Sequence, residues 1–100
     1  MPPETERMRE VIRAMLPELA AKYGVAELGI FGSRVRGDNR PDSDLDVLVT
    51  FRDEARLTAT DYFGLEDAIA DKLGVPVDLV MKQNLRPQLR PYILREVQRV

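Results

Sequence analysis

Gly32-Ser33-Arg34-Val35-Arg36-Gly37, followed by Ser43-Asp44-Leu45-Asp46-Val47-Leu48-Val49, is the stretch that decides how this chain folds. The second piece alternates acidic and apolar side chains, the pattern of a strand with one face turned inward. Positions i and i+2 share a face of a pleated strand, so Asp44 and Asp46 project together while Leu45, Val47, Val49 and Phe51 point the other way. Like charges at that spacing repel. A hard cation between them relieves the repulsion, and Mg²⁺ favours carboxylate oxygens combined with water and substrate phosphates. A further carboxylate, Asp78, stands inside the apolar run Val75–Met81.

Working outward, Val25 to Phe31 reads as a strand, Gly32 to Ser43 as a loop with at most one helical turn, and Asp44 to Phe51 as a second strand. Thr58 and Asp61 have the spacing of a capping box, and Tyr62, Leu65, Ile69 and Leu73 form the apolar stripe of the helix that follows. Gly74 and Pro76 stop that helix, and Val75 to Met81 is the third strand. Upstream, Met8, Ile12, Met15 and Leu19 predict an amphipathic helix capped near Thr5. Pro17 is expected to divide it, leaving a short helix from Pro17 to Tyr23 that ends at Gly24. Ile93, Leu94, Val97 and Val100 predict one apolar face of a last short helix. The fold class is α/β (α+β): a small mixed sheet of three or four strands, helices on one face and the acidic site on the other. Strand order is not readable from the sequence.

A chain of 100 residues is expected to form one domain over 1–100, burying about 60 to 70% of its unfolded surface. With 15 basic against 17 acidic residues and a net charge of −2, no extended nucleic-acid footprint is expected. The chain has no histidine and no cysteine, which excludes disulfides, thiol chemistry, Cys/His zinc sites and imidazole-based triads. The chemistry available runs on carboxylates and hydroxyls. No apolar run approaches the ~20 residues of a membrane span, and Met1-Pro2-Pro3-Glu4 lacks a signal pattern, so the expected compartment is the cytoplasm.

Two other readings of the motifs fail on particular residues. Gly32 and Gly37 have P-loop spacing, but Asp38 and Asn39 stand where a P-loop needs Lys and then Ser or Thr. Asp42, Asp44 and Asp46 imitate an EF-hand loop, yet Val47 replaces its turn glycine and Asp53 its bidentate glutamate. Taken singly, each aspartate is an ordinary solvated residue and each glycine an ordinary turn. Together, a Gly-Ser pair at a strand end, an Asp pair one loop later and a third Asp in a neighbouring apolar run converge on one sheet surface.

Those motifs, with Val77-Asp78-Leu79-Val80, resemble the minimal nucleotidyltransferase (MNT) domains of the DNA polymerase β superfamily. The resemblance runs from Leu16-Pro17-Glu18-Leu19 and Tyr23-Gly24-Val25 to Tyr92-Ile93-Leu94. It implies a polymerase β-like nucleotidyltransferase fold in which Asp44 and Asp46 hold two Mg²⁺ ions, Asp78 completes the site, and Gly32 and Ser33 cradle the phosphates of ATP. Independent physics fits those roles. Attack on an α-phosphate develops charge at both ends of the displaced bond, which paired cations stabilise. Glycine admits backbone N–H groups close to phosphate oxygens, and Asp78 is a candidate base for the acceptor hydroxyl as well as a metal ligand. Arg34, ahead of Arg36, is read as a phosphate contact, with pairing to Asp38 or Asp42 as the alternative for both.

Superfamily enzymes usually carry further domains for the acceptor, and this sequence reads as the transferase domain alone. Leu48 and Val80 share the inferred Asp face and offer apolar area to a partner, to a second copy in a homo-oligomer, or to the tail helix. The resemblance implies a helical HEPN partner in a toxin–antitoxin pair, with AMP passed from ATP to a tyrosine of the toxin. The alternatives are an antitoxin that acts by binding alone, and the catalytic subunit of an RNA-end or aminoglycoside-type nucleotidyltransferase.

Overall fold

A computed structural model describes all 100 residues, Met1–Val100. The first helix, α1 (Pro3–Tyr23), carries a proline in its first turn, where the missing N–H is one that helices leave unpaired anyway. It runs through Pro17 without a break, which corrects the expected division. An internal proline removes one backbone bond and costs about 3 kcal/mol, but here Arg13 and Pro17 are both exposed, so water can reach the freed carbonyl. Met8 and Ile12 before Pro17, and Leu19 and Tyr23 after it, are buried in one common core. Packing on both sides holds the helix together. Thr5 is not the cap either: it lies inside the first turn, 2% exposed, and its hydroxyl donates to the Arg34 carbonyl at 2.9 Å.

Strand β1 (Val25–Phe31) leads into a single helical turn, α2 (Ser33–Arg36), and strand β2 (Leu45–Phe51) returns antiparallel beside β1. Helix α3 (Ala59–Leu73) follows the expected capping box, with Thr58 Oγ1 accepting from the Asp61 N–H and Asp61 accepting from the Thr58 N–H. Strand β3 (Val77–Met81) then pairs parallel to β2. A 3₁₀ turn (Lys82–Asn84) and helix α4 (Arg90–Glu96) complete the chain with a two-residue strand, β4 (Gln98–Arg99), on the other side of β1. The sheet order is β3-β2-β1-β4, a mixed sheet.

The predicted tail helix therefore stops earlier than its apolar spacing suggests. Val97 turns extended, and the Val100 N–H donates to the Leu28 carbonyl at 2.9 Å, because the free edge of β1 offers the tail hydrogen-bond partners that a longer helix would not reach. Gly29 makes room for it: a Cβ there would stand 2.6 Å from Val97 Cγ2. At the opposite edge, α3 closes β3 with side chains. Glu66 accepts the Leu79 N–H at 2.9 Å, and the Tyr62 hydroxyl donates to the Leu79 carbonyl.

Helices α1 and α3 cover one face of the sheet, where Ile12, Leu65 and Ile69 meet Ile30, Leu45 and Val47, all essentially inaccessible to solvent. Each such side chain contributes about 1.5–3 kcal/mol on burial. The other face is not bare. Phe31, Leu48 and Leu85 form a second cluster with Val80, Ile93, Leu94 and Val97, so the tail covers the apolar area around Leu48 and Val80. Helices thus lie on both faces, and the acidic residues occupy the part of the second face that α4 leaves uncovered.

Candidate active site

Register brings the acidic residues together. Asp46 is the cross-strand partner of Phe31 on one side and of Asp78 on the other, so one row crosses β1, β2 and β3 at the end of the sheet. The Leu45 N–H donates to the Pro76 carbonyl at 2.9 Å and fixes the first residue of β2 against the start of β3. Asp44 lies just before β2 rather than inside it, exposed like Asp78, whereas Asp46 is half-buried. Burial, then the neighbouring Asp78 and Asp44 charges, push the Asp46 carboxyl up to about 6 from an ordinary value of 3.8, with Arg36 pulling the other way. Asp46 is thus the electrostatic centre of the row.

The three carboxylates do not form a closed cluster able to hold a metal ion by themselves. The donor set still fits Mg²⁺. That ion dehydrates reluctantly and is usually held by one or two carboxylates together with water and substrate phosphates, not by an all-protein cage.

Gly32 sits at the turn from β1 into α2 with φ of 86°, and a Cβ there would lie 1.9 Å from Asp46 Oδ2. Both the backbone conformation and the contact demand glycine. Gly32 and Ser33 line an open cleft of about 380 Å³ together with Arg36 and Asp46, and the tail supplies its other wall with Leu89, Tyr92, Ile93 and Glu96.

Arg34 departs from its expected place at the phosphates. It is 2% exposed and turned into the protein, where Nε donates to the Ser43 carbonyl at 3.0 Å and Nη2 to the Pro41 carbonyl at 3.1 Å, with Glu4 4.0 Å from Nη1. Its role is to pin the loop that delivers Asp44. Arg36 is the arginine that faces the cleft, donating from Nη1 to Glu96 Oε1 at 2.8 Å and from Nε to Asp38 at 3.2 Å. Residues two apart on a helical turn point about 200° from each other, so once α2 forms only one of the two arginines faces the cleft. Glu96 was not anticipated at all. It accepts the Gly32 N–H at 2.8 Å from 64 residues away, and no local pattern marks it.

The chain belongs to the nucleotidyltransferase domain family, whose model matches residues 12–100. It is 40% identical over 92 residues to protein adenylyltransferase MntA of Thermococcus cleftensis, covering 92% of this chain and 91% of that protein. A solved structure of a minimal nucleotidyltransferase shares its fold with a TM-score of 0.71 at 39% identity, over 92% of this chain and 95% of the other. The fold is also shared, with a TM-score of 0.66 at 20% identity, by a structure of the tri-AMPylated HEPN toxin of Shewanella oneidensis with its MNT antitoxin, over 94% of this chain and 69% of that one. No helix is long and apolar enough to cross a membrane.

Proposed function

We propose that this chain is a Mg²⁺-dependent protein adenylyltransferase that moves AMP from ATP to a hydroxyl of a HEPN-type toxin and so acts as its antitoxin. The observation that carries this reading is the register that sets Asp46 beside Asp78 with the Gly32 turn against its carboxylate. The 40% identity to a protein adenylyltransferase supports the choice of a protein acceptor. Asp44, Asp46 and Asp78 would hold the divalent ions, which, when bound, neutralise charge on the α-phosphate and the departing pyrophosphate. Gly32 offers its N–H to a phosphate oxygen and Ser33 its hydroxyl, while Arg36 adds a cation at the same wall of the cleft. Asp78 is exposed beside Asp46, where a carboxylate can accept the proton of an incoming tyrosine hydroxyl.

The test is incubation of the chain with its HEPN partner, Mg²⁺ and ATP labelled at the α-phosphate. Label is expected on the partner and should be lost in the double variant Asp44→Asn with Asp46→Asn; a double variant that labels as well as wild type refutes transfer. Phenylalanine variants of Tyr23, Tyr62 and Tyr92 control for self-modification.

A further inference from the structure

Glu96 is the last residue of α4, and its side chain is 21% exposed in the wall of the cleft. Its two oxygens engage the donors best suited to a phosphate: Oε2 accepts the Gly32 N–H at 2.8 Å, and Oε1 accepts from Arg36 Nη1 at 2.8 Å. The rest of its surroundings disfavour a negative charge. The C-terminal end of a helix is itself partly negative, and Glu96 adds to the like-charge repulsion felt by Asp46. A carboxylate held in such a place depends on those two donors. An amide on one oxygen and a guanidinium on the other reproduce the contacts of a bound phosphate group.

We infer that Glu96 is a built-in phosphate surrogate, which the triphosphate of an incoming nucleotide displaces from Gly32 and Arg36. This rests on the nucleotidyl-transfer reading above. Displacement needs no movement of the tail, because β4 remains paired to Gly29 and Ile30 and the Val100 N–H to Leu28; rotation of one side chain is enough. While engaged, Glu96 keeps the Gly32 amide satisfied and Arg36 aimed into the cleft. It also weakens apparent nucleotide affinity by the fraction of molecules in which the contact is made.

Calorimetric titration of Mg²⁺–ATP into wild type, Glu96→Gln and Glu96→Ala tests this. Both variants are expected to bind about three- to tenfold tighter, the net worth of about one ordinary hydrogen bond removed from competition, and inorganic tripolyphosphate should follow the same order. In wild type the Gly32 amide resonance should shift on adding tripolyphosphate, a readout that does not depend on either variant folding. Clear binding by wild type with equal or weaker binding by the variants, or a Gly32 resonance that does not move, overturns the inference and leaves the nucleotide reading standing. No binding by any of the three chains overturns both.

Discussion

At the scale of single residues, Asp46 concentrates the conflict between stability and chemistry. A carboxyl whose value is raised on folding favours the native state fully below about 3.8, and that contribution disappears as pH climbs through about 6. Metal-free wild type and Asp46→Asn should therefore melt together near about pH 3, with the variant melting higher near about pH 7. Thermal melts across that range check it; equal melting at both ends refutes the assignment. Arg34 makes the opposite prediction. Truncation to Ala leaves the Ser43 and Pro41 carbonyls without their partner and should cost about 2–4 kcal/mol. Lys does not restore the planar fork, so denaturant titration should find Arg34→Lys nearly as unstable. Gly32→Ala forces a methyl group against Asp46 Oδ2 in a backbone conformation, φ 86° and ψ −160°, that is nearly confined to glycine and costs other residues about 1–3 kcal/mol. Labelling of the partner should fall at least as far as in the double Asn variant.

At the scale of elements, what could be read in advance was local. The capping box, the β1 and β2 strands and the parity that sends Leu45 inward and Asp46 outward depend only on neighbours in sequence. Where reading failed, a distant partner had decided the matter. Pro17 sits in an unbroken helix because residues on both sides of it reach one core, and Val97 leaves its helix because β1 has an open edge. Thr5 gave up a cap for the Arg34 carbonyl, 29 residues away. The site divides the same way. Gly32, Asp44, Asp46 and Asp78 were legible as residue types in sequence, whereas the inward turn of Arg34 and the approach of Glu96 exist only once the chain is folded. Removing residues 97–100 tests the role of the edge: the unpaired side of β1 and the uncovered Gly29 should drive self-association, visible as a concentration-dependent rise in mass by light scattering.

At the scale of the whole molecule, the two faces of the sheet have separate duties. Helices α1 and α3 with the larger core hold the fold, and the smaller cluster under α4 shapes the cleft. A ligand that bridges Gly32, Asp46 and the tail wall should therefore stabilise the chain as a unit. Mg²⁺–ATP at about 100 times its dissociation constant contributes about 2.7 kcal/mol, or about 11–22 °C in melting temperature for a chain of this size. Scanning fluorimetry should show that rise with both components present and lose it in Asp46→Asn.

The two Arg34 bonds anchor the loop at Pro41 and Ser43, downstream of Asp38 and Asn39. Extra amino acids spliced between Asp38 and Asn39 would bulge into solvent while Asp44 kept its position. That junction is a natural attachment point for a tag or a grafted recognition peptide, and one where related chains are free to differ in length.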